Sequence, residues 1–324
     1  MCLRTRPGRK VVITSAVVIL AMLIPCAAAA AQGETGSPDT TLAKPGKPVA
    51  EFVHPEALVS PQWLATHLAD PSVRIVDARW PSYPAFYEAG HIPGAVSFDV
   101  FSIVPIPSPG DFELLMSQLG IGDGRTVVIY DAHGGIWGVR LWWALRYYGH
   151  DAVKLLDGGL LGWMLTGGRL ESGTVIPAPA TFVAHARPEL IATVADVKSA
   201  IRDPKVYIID ALPEEYYTGA VSMSPDLRAG HVPTACNLPA GLFVDPFGSL
   251  YPPKAVAERV EKLGIKPDQQ IITYCGGGVA GAFDLFVLYL LGYEHVKLYD
   301  RSWMEWGADP SLPIETGPGH CRSR

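Results

Sequence analysis

Gln270-Ile271-Ile272-Thr273-Tyr274-Cys275-Gly276-Gly277-Gly278-Val279-Ala280 decides the fold of this chain. Ile271 to Tyr274 is a short apolar run of the kind a buried parallel strand shows. The glycines that follow at once mark a tight connection. Beyond them Ala282 to Leu291 is apolar nearly all round, the pattern of a buried helix, and is far too short to span a bilayer. Cys275 therefore stands at the carboxyl end of a strand, the edge at which open α/β sheets bind their ligands.

Working outward, the same arrangement occurs twice. Val73-Arg74-Ile75-Val76-Asp77-Ala78 matches Val206-Tyr207-Ile208-Ile209-Asp210-Ala211. Ala89-Gly90-His91-Ile92-Pro93 matches Ala229-Gly230-His231-Val232-Pro233, and Thr126 to Asp131 matches Gln270 to Cys275. Tyr148 to Leu155 matches Leu291 to Leu298. Four landmarks in one order at a nearly constant offset identify a duplicated domain. Within each copy, short apolar runs such as Val127 to Tyr130 and Val153 to Leu156 alternate with helical patterns such as Val139 to Tyr148 and Ala255 to Leu263. That alternation predicts an α/β fold, with a mainly parallel sheet and helices on both faces in each copy.

The first residues read as a targeting segment. Arg4, Arg6, Arg9 and Lys10 form a basic n-region, Val11 to Ile24 an apolar core, and Ala27 to Ala31 a set of small-residue cleavage sites. The alternatives are an uncleaved anchor and a lipoprotein anchored through Cys26, where Pro25 sits in the place of a small flexible residue. The expected order is a signal peptide over 1–31, a flexible exported tether over 32–54, a first domain over 55–172, a linker over 173–188, a second domain over 189–317 and a polar tail over 318–324. The protein is expected to be exported, periplasmic or secreted, with no membrane insertion once the signal is cleaved. Cleavage removes four positive charges and takes the net charge from −6 to about −10. An acidic chain without a basic stripe is a poor partner for nucleic acid. Of five cysteines, Cys236, Cys275 and Cys321 remain, too few for a disulfide framework in a chain of this length. No cysteine or histidine spacing suggests zinc, and no metal or cofactor is expected.

The chemistry is expected at Cys275. A thiol is a weak nucleophile until it becomes a thiolate. A helix N-terminus offers unpaired N–H groups and the positive end of a dipole, and consecutive glycines let several N–H groups converge. Gly276, Gly277, Gly278, Val279 and Ala280 are thus expected to wrap the sulfur, lower its pKa and hold it negative. Three rivals stand beside this reading. Cys275 could be a small core residue. Gly276-x-Gly278-x-x-Gly281 has dinucleotide-fingerprint spacing, but the first copy lacks it. A cysteine phosphatase would carry an Arg where Gly281 stands.

The chain resembles the tandem-domain rhodanese family, which includes thiosulfate and 3-mercaptopyruvate sulfurtransferases. The resemblance runs from about Pro55 to Gly317. It is carried by Gly90-His91-Ile92-Pro93-Gly94-Ala95, Tyr130-Asp131, and Leu156-Asp157-Gly158-Gly159 with Trp163. Tyr274-Cys275-Gly276-x-Gly278-Val279 and Ser302-Trp303-x-Glu305-Trp306 complete it. It implies two rhodanese-like domains, a silent first one with Asp131 in the cysteine position and a catalytic second one. It also implies that Cys275 takes the outer sulfur of a small donor as a persulfide and passes it to a thiol or cyanide acceptor. The alternative is an exported persulfide carrier loaded by a partner protein. The loop departs from the mercaptopyruvate pattern at Gly277 (for Ser) and Ala280 (for Thr). Leu212 stands where relatives carry a donor-binding Arg, and the acid-Ala-Arg stretch of relatives is missing around Ser82 to Phe86. Arg301, Arg228, His91 and Trp303 are the candidate donor contacts. For Arg301 and Arg228 the alternative is an ordinary surface role, and for His91 and His231 a structural hydrogen bond in the turn beside Pro. Cys236 matches Val96 and is expected to be a buried apolar substitute, and Cys321 has no assigned partner.

Overall fold

The computed structural model of the chain describes residues 51–80, 84–122, 124–319 and 321. The expected signal peptide, all of the tether before Glu51, and most of the polar tail beyond Gly319 lie outside the described residues.

Each repeat is one five-stranded parallel sheet. The first holds β1 (Leu58–Val59), β2 (Val73–Asp77), β3 (Val96–Ser97), β4 (Thr126–Tyr130) and β5 (Val153–Leu156), in the order β1-β5-β4-β2-β3. The second holds β6 (Ile191–Ala192), β7 (Val206–Asp210), β8 (Cys236–Asn237), β9 (Gln270–Tyr274) and β10 (Val296–Tyr299), in the order β6-β10-β9-β7-β8. The registers repeat as well: Asp77 lies beside Tyr130, and Asp210 beside Tyr274. The central strands β4 and β9 are buried at every position after the first, which is why they are apolar on both faces.

The helices of the first repeat are α1 (Pro61–His67), α2 (Pro84–Ala89), α3 (Pro109–Gln118), α4 (Gly138–Tyr147) and α5 (Gly159–Leu165). Those of the second are α6 (Val194–Ala200), α7 (Glu214–Tyr217), α8 (Pro253–Glu261), α9 (Ala280–Leu290) and α10 (Ser302–Trp306). The helices that follow the central strands, α4 and α9, are buried on almost every side. They have two things to bury against, their own sheet and each other, and Trp142 meets Phe286 edge-on at 4.8 Å between ring centroids. The two repeats thus share one continuous core. No helix among the described residues is long and apolar enough to cross a membrane.

The duplicated turns are built alike. His91 Nδ1 bonds Tyr87 O at 2.9 Å, and His231 Nδ1 bonds Tyr217 O at 2.7 Å. The Tyr87 and Tyr217 hydroxyls donate to Ala95 O and Ala235 O.

The expectation for Cys236 is corrected. Its side chain is buried, but it is bonded to Cys321, with an S–S distance of 2.00 Å, and the disulfide ties the end of the chain to edge strand β8. Cys275 is the free cysteine of the described residues.

Candidate active site

Cys275 follows β9 directly, and the start of α10 pins it there. Its N–H donates to Ser302 Oγ at 3.1 Å, and that hydroxyl donates to Tyr299 O at 2.8 Å. Trp303 N–H donates to Cys275 O and Met304 N–H to Gly276 O, both at 2.9 Å. The loop is therefore held from outside by main-chain bonds, whatever its own side chains lack. Gly278 N–H points back at the sulfur, 3.2 Å from Cys275 Sγ. Gly278 has φ +81°, and a Cβ there would lie 2.5 Å from Asp300 O, so only glycine closes this turn. A Cβ on Gly276 would lie 2.2 Å from the Met223 methyl, which lies over the loop.

The sulfur is buried, with 3% of its residue's surface exposed. Burial pushes the Cys275 thiol up, while the amides of Gly281, Gly277 and Gly278 pull it down and Asp210 adds to the rise. The expected lowering of the pKa is therefore corrected: the amide nest exists, but it offsets only part of the desolvation.

The sulfur's loop borders a cleft of about 490 Å³ between the repeats. Val104 and Pro105, which follow a 3₁₀ turn of the first repeat, form one wall, and Gly277, Asp300 and Met304 form the other. Arg301, Glu305 and Asp309 stand at its rim. Of the sequence candidates, Arg301 lines this cleft, largely exposed, with its Nε 3.8 Å from Glu305 Oε1. Trp303 is buried behind the loop and donates from Nε1 to Arg228 O at 2.9 Å. Arg228 is committed elsewhere: its guanidinium donates to the carbonyls of Gly307, Leu312, Trp306 and Asp309, lacing the C-terminal segment together. His91 is buried in the first repeat, stacked on Tyr87 and bonded to Tyr87 O and the Glu171 carboxylate. Sequence reasoning missed Val104, Pro105, Met223, Met304 and Arg140. Only Arg140 carried a signal, as one of two charges, with Arg146, in the otherwise apolar and aromatic helical pattern Val139 to Tyr148.

The silent repeat shows what its loop is built to hold. Asp131, fully buried, accepts N–H bonds from His133 and Gly135 on Oδ1, and from Trp137 and Gly138 on Oδ2, at 2.8 to 3.0 Å. The first nest is filled by the chain's own carboxylate. A second contrast lies two residues past each β2-type strand. Arg79 clasps Asp77, with Nη2 at 2.7 Å from Oδ2, whereas Leu212 brings no charge to Asp210. Burial pushes Asp210 up to about 7, against the pull of the Leu212 amide and the Tyr274 hydroxyl.

Comparison with known proteins places this geometry. The family model described as the rhodanese-like domain matches residues 60–166 and again 193–309. A 3-mercaptopyruvate sulfurtransferase of Escherichia coli K12 is 36% identical over 273 residues, covering 79% of this chain and 97% of its own. A sulfur carrier protein of Thermus thermophilus, TtuD, is 34% identical, covering 82% of this chain and 99% of its own. The crystal structure of the Escherichia coli 3-mercaptopyruvate sulfurtransferase SseA superposes with a TM-score of 0.70 at 35% identity, over 76% of this chain and 98% of that one.

Proposed function

This chain belongs to the rhodanese-like family, and on that premise we propose that it is a sulfurtransferase whose Cys275 carries sulfur as a persulfide. The observation that bears most weight is the Gly278 N–H aimed at Cys275 Sγ from 3.2 Å, beside a cleft open to a small donor. The Cys275 thiolate attacks the outer sulfur of thiosulfate or the thiol sulfur of 3-mercaptopyruvate. The bond from that sulfur to the rest of the donor breaks; sulfite leaves with the electron pair, or the carbon fragment of 3-mercaptopyruvate leaves with it as an enolate that takes up a proton from water to become pyruvate. A thiolate or cyanide then attacks the outer sulfur of the persulfide and returns the Cys275 thiolate. This is covalent catalysis in two half-reactions. The amides of Gly277, Gly278 and Gly281 supply the partial positive charge that either sulfur anion needs. Arg301, at the rim, is the donor contact that the cleft geometry favours among the sequence candidates.

The reading extends to export. The Cys236–Cys321 bond is of a kind that persists in oxidising compartments and supports an extracytoplasmic site for the protein. The mass of the N-terminus recovered from an extracytoplasmic fraction checks this; an intact Met1 in the soluble cytoplasm would contradict it.

Incubation of the reduced protein with each donor, followed by mass measurement, tests the chemistry. A gain of one sulfur atom on Cys275, absent from Cys275→Ser, is expected. No gain with either donor would remove the proposal.

A further inference from the structure

We propose that Arg140, supplied by the silent first repeat, is a positioning residue for Cys275, fixing the sulfur-binding loop and setting a buried cation behind it. The inference rests on the reading of Cys275 as the sulfur carrier.

Arg140 lies in α4 and is wholly inaccessible to solvent. Its Nη1 donates to Gly278 O at 3.3 Å, and Gly278 is the residue whose N–H meets the sulfur. Its Nε and Nη2 donate to Ile103 O at 3.2 and 2.7 Å, and Nη2 also pairs with the Asp300 carboxylate. The other oxygen of Asp300 accepts from Ile106 N–H at 3.1 Å. Ile103 and Ile106 bracket Val104-Pro105, the cleft wall from the first repeat. One guanidinium thus joins the sulfur loop, the opposite cleft wall and the residue before Arg301. Burial pulls the Arg140 guanidinium down, and Asp300 first and Cys275 last push it back up, so the cation and the sulfur favour each other's charged forms.

The duplication provides the control. Asp157 corresponds to Asp300, and its carboxylate accepts from Leu250 N–H at 2.9 Å as Asp300 accepts from Ile106. At the same offset, Arg140 corresponds to Phe283. Asp157 therefore has no guanidinium, and burial pushes its carboxyl up. The same cross-repeat joint is made with an apolar side chain on the silent side and with a buried cation only on the side that holds the sulfur. Burying a charge is costly unless it is paired and bonded, and an apolar replacement is often as stable. The cation at this joint therefore answers to the sulfur and not to the packing of the interface.

The test measures two things in wild type, Arg140→Lys and the double variant Arg140→Met/Asp300→Asn, which buries no lone charge. One is the rate of Cys275 alkylation by iodoacetamide across pH, and the other is the rate of sulfur gain from thiosulfate and 3-mercaptopyruvate; melting curves report folding. We expect the double variant to alkylate with its midpoint moved to higher pH, and about tenfold more slowly at neutral pH for one unit of displacement. Sulfur gain should fall in step, and Arg140→Lys should bring the midpoint back toward wild type while gaining sulfur more slowly. A folded double variant with the wild-type profile and rate overturns the inference. If that variant does not fold, Arg140→Lys decides: wild-type rate and profile overturn the inference, and slower sulfur gain supports it. If wild type itself gains no sulfur, the reading of Cys275 fails, while the alkylation profiles still judge Arg140.

Discussion

Asp131 and Cys275 stand at the same point of the two repeats, each one residue past the central strand and each an acceptor for main-chain N–H groups of the loop that follows. In the first repeat the acceptor is a side-chain carboxyl that satisfies four donors. In the second it is a thiol whose nest is shared by the loop and whatever sulfur it carries. The same backbone device therefore serves architecture once and chemistry once.

Asp131→Ala should be costly. It leaves four N–H groups without their acceptor, those of Gly135 and Gly138 buried and those of His133 and Trp137 part-buried, and one unsatisfied buried donor costs about 1–3 kcal/mol. A loss of about 3 kcal/mol or more in urea unfolding is expected, with Asp131→Asn recovering part of it through its one acceptor oxygen. Unchanged stability in Asp131→Ala would mean that water or a shifted loop replaces the carboxylate.

The wild-type sulfur should react as a buried thiol. Because burial raises the Cys275 pKa, the neutral thiol dominates at neutral pH and the nucleophile appears as pH rises. Alkylation of the donor-free protein should climb through the alkaline range, without levelling off below the ordinary thiol pKa. A plateau already reached near neutrality would show that the amide nest outweighs burial.

Asp210→Asn should change how stability depends on pH. The folded pKa of Asp210 is about 7, above the ordinary Asp value, so between the two the folded protein binds more protons than the unfolded chain. Stability from this group is then fullest in acid and is lost as pH rises through the folded value, with a slope of up to about 1.4 kcal/mol per pH unit. Asp210→Asn removes that slope, so its melting temperature should gain on wild type from weakly acid to neutral pH. Parallel curves for the two proteins across this window would contradict the assignment.

The architecture was legible because its signals are local. Alternating apolar runs place β4, β5 and β9, and the match of Thr126–Asp131 to Gln270–Cys275 puts the silent and active loops at one position. What lay beyond the sequence depends on distance in the chain or on burial. Val104 and Pro105 face Gly277 across the cleft only because the repeats pack α4 on α9. The direction of the Cys275 pKa follows from how deeply the sulfur sits, which glycine spacing does not encode. Arg228 reads as a candidate anion site in sequence, yet four carbonyls of the C-terminal segment absorb its donors.

The disulfide should stabilise the second repeat. Cys236 and Cys321 are 85 residues apart, and closing so long a loop removes much of the entropy of the unfolded chain, typically about 2–4 kcal/mol. The double variant Cys236→Ala/Cys321→Ser should melt at lower temperature than the oxidised wild type and at about the same temperature as the reduced one. Sulfur transfer assays run with strong reductant therefore measure a less stable protein. Identical melting with and without reductant would show that the bond does not form in solution.

Asp284 offers the last test. It lies one turn into α9, wholly buried, with neither carboxyl oxygen bonded among the described residues, and burial pushes its pKa well above the usual range. Its counterpart at the same offset in α4 is Leu141, also buried. A buried carboxyl with no partner costs about 1–3 kcal/mol even when neutral. Asp284→Val, the smallest apolar change with a branched side chain, should therefore raise stability by about 1–3 kcal/mol, less a few tenths for β-branching in a helix. The sign with pH follows that of Asp210: the wild type loses stability as pH climbs from the ordinary Asp value toward the raised one, so the advantage of the variant should widen toward alkaline pH. Urea unfolding at acid, neutral and alkaline pH reads both effects. A variant that is less stable than wild type at every pH would mean that the carboxyl is satisfied in solution by buried water, and that α9 is built around a polar site at this turn.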